Sequence, residues 1–367
     1  MPVDPEGDAA TRGEATRSVS PGKARSLRDT VGAHWAMPAK YAVVLGLLCT
    51  AMLAAVSATA YTSDGAIPGL PEPGPLVRFG LPLVRVLLDL MALATVGLSL
   101  LPKLLGFDRP KNTEPIMSVA RQVTVVTALL WMLCALLSLV LQTAELNPGR
   151  TPTTGMVIDL IAGVPAGPGL LLSAAGALLC VLLGLLAVRH GEAVPAELRV
   201  IVAVLSLLPM PLTGHATDWQ YHDISMISME LHVVGAAVWT GGLAAVAVFA
   251  APRRGLLAPA LPRFSKLATA AVFLVGITGA FNGIMELLNA PSVGLGGLFT
   301  TAYGQIVLAK MVCLAMLAAL GGHVRFRLLP RIEQHQRTAV IGWIAAEVSV
   351  MGLAYGLGSV LARAPVV

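Results

Sequence analysis

Two imidazoles and two carboxylates fall within nine residues, at His215, Asp218, His222 and Asp223. The chain then runs His222-Asp223-Ile224-Ser225-Met226-Ile227-Ser228-Met229-Glu230-Leu231-His232. On a helix of 3.6 residues per turn, His222, Met226 and Met229 stand at i, i+4 and i+7 on one face. His232 lies at the edge of that stripe, about 15 Å along the axis from His222. Imidazole with thioether suits copper: the thioether is soft and favours Cu(I), and imidazole accepts either oxidation state. Hard cations want oxygen ligands, which the stripe lacks. His215, His222, His232, Met226 and Met229 are therefore the candidate metal ligands. Taken singly, methionines at helical spacing also pack a core and a loop histidine also hydrogen-bonds to solvent, so the reading rests on the five together. No HExxH zinc spacing is present.

Further ionisable residues sit inside apolar runs, where charge is costly and usually faces a bundle interior. Arg85 and Asp89 are spaced i, i+4 and are expected to neutralise each other. Asn282 and Glu286 share a helix face. Lys310 lies about 12 Å into its run, at the depth of Glu230 in another. A Glu230–Lys310 or Glu286–Lys310 ion pair is one expectation for these three residues, and a proton or ion relay is the other. Glu347 lies mid-run with no partner visible in the sequence. His323, near the end of its helix, either receives a metal after passage or hydrogen-bonds at the interface.

The elements that must carry these groups are membrane helices. Of 367 residues, 56% are hydrophobic and 12% charged, and the mean hydropathy is +0.78. A water-soluble globule needs about twice that share of charge. Nine runs are long enough for a bilayer core of about 30 Å, at about 40–61, 83–105, 121–142, 168–189, 197–213, 222–251, 265–288, 302–328 and 338–361. Lysines and arginines crowd the N-terminal tail and the even-numbered loops and nearly vanish from the others. This places the N-terminus in the cytoplasm and the C-terminus outside. The same distribution accounts for the net charge of +5 without a nucleic-acid partner. The fold expected is all-α, a polytopic transmembrane bundle of about nine spans in the cell membrane. It divides into a disordered tail (1–39), a four-helix membrane region (40–189) and a five-helix membrane domain (190–367). The apolar stretch around Met156–Val164 lies in the interface or forms a short re-entrant turn. Cys49, Cys134, Cys180 and Cys313 are far apart with no CxxC and read as packing residues.

The stretch from about 190 to 361 resembles the copper resistance protein D (CopD) family. The residues that carry the resemblance are Gly214-His215-Ala216, Leu231-His232, Ala237-Val238-Trp239-Thr240-Gly241-Gly242 and Arg263-Phe264-Ser265-Lys266-Leu267-Ala268. Thr278-Gly279, Thr301-Ala302-Tyr303-Gly304, Lys310 and Gly321-Gly322 with Arg325 complete the pattern. The resemblance implies an inner-membrane protein of copper uptake or handling, with family histidines at His215 and His232. Met226 and Met229 come from spacing and are not part of the family pattern. Relatives often continue into a second membrane domain like the CtaG cytochrome oxidase assembly factor. A CtaG-like factor or an extracytoplasmic copper-binding protein is therefore an expected partner, beside the lipid bilayer and copper itself.

The function expected is copper uptake or handling, with capture at the external His/Met cluster and passage inward or to an oxidase-assembly partner. Two alternatives stand beside it: a b-type haem electron carrier and a non-catalytic scaffold for oxidase assembly. Bis-imidazole haem needs facing histidines, which are few here, so haem is not expected as a cofactor. No P-loop, dinucleotide motif or nucleophile–base arrangement is present, and no enzymatic activity is expected.

Overall fold

The computed structural model describes residues 39–62, 72–107, 110–213, 222–290, 293–328, 330 and 340–362. Among these, ten helices are named in chain order: α1 Ala39–Tyr61, α2 Pro75–Leu105, α3 Pro110–Leu146, α4 Thr154–Gly163, α5 Ala166–His190, α6 Ala196–Leu205, α7 His222–Ala245, α8 Arg254–Leu288, α9 Ala302–His323 and α10 Val340–Leu361. A single helical turn, Gly297–Thr300, precedes α9. No strand occurs among the described residues. Among the described residues, nine helical segments are long and apolar enough to cross a bilayer, in the order the hydrophobic runs predict. The protein is an all-α, multi-pass membrane protein.

The helices outrun the apolar stretches that announce them. α3 begins at Pro110 and α8 at Arg254, each 11 residues before its run. Hydropathy marks only the lipid-immersed part of a helix, and hydrogen bonding continues into the polar flank. In α8, Pro259 and Pro262 lie inside the second and third turns, where each removes one intrahelical hydrogen bond. The extension is held by burial of Leu256, Leu257, Leu261 and Phe264. α6 ends at Leu205, and a 3₁₀ segment Met210–Thr213 completes its span across Pro209 and Pro211. Thr153 caps α4 by accepting a hydrogen bond from Met156 N–H at 3.4 Å. The short helix packs on α5 where Gly167 leaves no room for a side chain against Leu160.

α2 is the axis of the bundle, touching α1, α3, α6, α7, α8 and α10. It crosses α7 at Gly97 and Gly241, where a methyl group on either glycine would overlap the other helix's backbone. The first and last spans meet in the same way: Gly352 and Gly356 of α10 lie against the backbone of α1 at Leu47 and Ala51. On the other flank, α3 buries Trp131 completely, and its indole N–H donates to Ser173 Oγ of α5 at 3.1 Å.

The end of the bundle where the basic loops lie is tied by charge. The Arg121 guanidinium, 5% exposed, donates to both oxygens of Glu114 at 2.6 and 2.8 Å and to Glu192 at 3.4 Å. Arg199 meets the other oxygen of Glu192 at 3.4 Å, and Lys103 pairs with Glu197. These links join α2, α3, α6 and the turn after α5.

Candidate metal site

The seam between α7 and α8 brings together two of the predicted ligands, Met229 and His232. Ile224, Ile227 and Leu231 face outward from α7, while Ser225 and Ser228 are buried. That orientation turns Met229 and His232 toward α8. Two rungs cross the seam. Asn282 donates through Nδ2 to Met229 Sδ at 3.7 Å. One turn deeper, His232 Nδ1 and Thr278 Oγ1 are 3.1 Å apart. Met229 and His232 are three residues apart, and Thr278 and Asn282 four, so antiparallel helices bring both pairs level.

The second rung assigns a tautomer. Thr278 Oγ1 already donates its proton to the Leu274 carbonyl at 2.6 Å. Its oxygen can therefore only accept from the imidazole, so Nδ1 carries the hydrogen and Nε2 the lone pair. Metal-binding histidines are commonly held this way, by a hydrogen bond on the nitrogen that does not bind. Gly279 provides the seat: a methyl group there would come within 3.0 Å of His232 Cε1. In the sequence, Thr278 stands out only as part of the family-like pattern and Asn282 only for sharing a face with Glu286. The signal for both is a pair of hydroxyl and amide side chains at i, i+4 within the membrane span of α8.

The remaining predicted residues are placed as follows. Met226 is half-buried on α7. His222 opens α7, its side chain outside the described residues. His215 and Asp218 also lie outside the described residues. Among the described residues, no three His, Cys, Asp or Glu side chains converge as a metal cage.

A charged cluster lies beside this seam. Arg85 Nε and Asp89 Oδ1 form the expected i, i+4 pair at 3.2 Å, both largely buried. Arg85 also donates to Thr213, the last residue of the 3₁₀ segment. Lys310 forms no ion pair within 4 Å among the described residues. Asp89 is the carboxylate whose field it shares, and His232 feels the charge of Lys310 in turn. Glu286 acts on Tyr303, and Glu230 is half-buried. The buried Tyr355 hydroxyl lies beside Thr240 of α7.

Comparison with known proteins points to a copper resistance family. The family model for copper resistance protein D matches residues 258–361. The model for the copper resistance protein D-like N-terminal domain matches residues 76–223. The copper transport protein CutJ of Bacillus subtilis (strain 168) is 30% identical over 146 residues, covering 38% of this chain and 25% of CutJ. The chain thus matches about a quarter of that relative's length. No solved structure matches it.

Proposed function

We propose that this chain, which belongs to the copper resistance protein D family, moves copper ions across the cell membrane. In this reading copper is cargo, taken at the end of the bundle where α7 begins and passed down the α7–α8 seam. His215 and His222 are the capture residues, Met226 and Met229 the thioether steps, and His232 the deepest ligand of the outer half. The protein performs no bond-making chemistry of its own. Movement follows the copper gradient, the membrane potential or delivery to a CtaG-like or extracytoplasmic copper-binding partner.

The observation that carries this reading is the fixed His232 ring, whose Nδ1–H is committed to Thr278 while Met229 lies one turn above. Oriented in that way, Nε2 keeps its lone pair for Cu(I) while Nδ1–H stays on Thr278. The test is metal analysis of purified full-length protein under reducing conditions, wild type against His232→Ala, together with copper-dependent uptake in cells. The expected outcome is bound copper and uptake in the wild type, both reduced in the variant. Equal copper content and equal uptake in the two proteins would overturn the reading.

A further inference from the structure

Copper that leaves His232 still has half a bilayer to cross, and a second seam has the residues for it. α9 is covered mainly by α10, so its buried residues Ile306, Cys313 and Leu317 mark the face toward α10. The register of this antiparallel pair is fixed at two points. Lys310 Nζ lies 3.2 Å from the place a methyl group would take on Gly358, and Glu347 Oε1 lies 3.8 Å from the corresponding place on Gly321. Lys310 to Gly321 is 11 residues along α9, and Glu347 to Gly358 is 11 along α10, so the two helices stay in step. At the basic end, His323 stacks on Trp343 with ring centroids 4.2 Å apart and planes 19° apart.

This register sets a metal-ligating side chain on each successive turn of the seam. Cys313 is level with Tyr355, Met351 and Glu347 follow at steps of about 6 Å of helical rise, and His323, beside Trp343, comes about 3 Å beyond Glu347. Cys313 and Met351 are buried. Glu347 is 6% exposed and has no hydrogen bond or ion pair among the described residues, although it points at the Gly321 notch. A buried carboxyl without a partner is costly and usually marks a function inside a membrane. At the head of the seam, the Lys310 ammonium is offset by Asp89, so the path does not open on an isolated positive charge.

We infer that the α9–α10 seam is a second Cu(I) site, in which Cys313 and Met351 bind the ion and Glu347 and His323 pass it to the basic end of the bundle. The inference rests on the copper reading above and adds the inner half of the route. Thiol and thioether are the soft donors that Cu(I) selects, and their placement below His232 separates an outer nitrogen–sulfur step from an inner sulfur-rich one.

The test titrates Cu(I) into full-length protein against a chromogenic Cu(I) chelator, with X-ray absorption to count sulfur neighbours. Four proteins are compared: wild type, the outer-seam variant Met229→Leu/His232→Ala, the inner-seam variant Cys313→Ser/Met351→Leu, and all four changes together. The outer variant is expected to keep one tightly held Cu(I) with sulfur ligation, and the fourfold variant to lose it. Met351→Leu conserves volume and is tolerated in cores, so alone it gives the same readout should Cys313→Ser fail to yield a monodisperse protein. If the outer variant holds no copper while the wild type does, the inner site falls and the copper reading stands. If the wild type holds none, both fall.

Discussion

The α2–α7 axis and the outer helices α8 and α9 are built on opposite terms. In the membrane windows of α2 and α7, 56% and 61% of residues are buried; in α8 and α9 the share is 17%. The axis is held by direct backbone contact at Gly97 and Gly241. Each outer helix rests mainly on one neighbour, α8 on α7 and α9 on α10, and turns residues such as Phe273, Ile277, Met311 and Val312 to the lipid. Both candidate copper seams lie where an outer helix meets an inner one. A ligand on such a seam is positioned by the rigid partner and reached by small shifts of the loose one. Stability and function should therefore separate: changes on the axis unfold the protein, and changes on the seams alter copper binding with the fold intact.

The sharpest way to break this comparison is at the axis. Gly241→Val puts two methyl groups into the space held by the Leu93 carbonyl, and neither backbone can yield. The expected cost is about 3 kcal/mol or more, seen as loss of the monodisperse peak in size-exclusion chromatography of detergent-solubilised protein. A variant that elutes and melts like the wild type would show that the axis is not rigid.

Arg121→Leu comes next. It removes the cation shared by Glu114 and Glu192 at the basic end and leaves Glu192 with Arg199 alone. Breaking a buried pair costs roughly 3 kcal/mol, reduced here because Glu114 is half exposed. The expected result is a thermal midpoint several degrees lower, with Cu(I) stoichiometry unchanged in the protein that remains folded. A fall in stoichiometry would tie this end of the molecule to the site and blur the distinction between structural and functional charge.

How much of this was legible in the sequence follows from range. The nine spans were, because apolar length is a local property and the bilayer sets its scale. Arg85–Asp89 was, because an i, i+4 pair needs only a helix. Helix ends were misplaced by up to 11 residues in α3 and α8, because hydropathy is blind to helix that continues outside the lipid. What lay out of reach were partners set by which helix stands beside which. Thr278 as the acceptor for His232 needs the α7–α8 register, the field Asp89 exerts on Lys310 needs α9 brought near α2, and the Cys313–Met351–Glu347 sequence of levels needs α9 in step with α10. Met229 and His232 could be named as ligand types, but the nitrogen of His232 that is free to bind could not.

The smallest stability effect, and the one that best isolates the seam, is expected at Thr278. Thr278→Val keeps the branched shape and removes the oxygen that accepts from His232 Nδ1. The lost hydrogen bond costs about 1 kcal/mol, a shift of a degree or two in the melt. The ring is then free to rotate and to change tautomer, and loss of such a supporting contact typically lowers metal affinity by about 10- to 100-fold. Cu(I) competition titration should show that drop in Thr278→Val and its recovery in Thr278→Ser, which restores the hydroxyl. Near-normal affinity in Thr278→Val would mean that the hydrogen bond does not set the imidazole for copper. The seam would then be a packing contact like those of the axis, and the contrast between the two regions would reduce to burial.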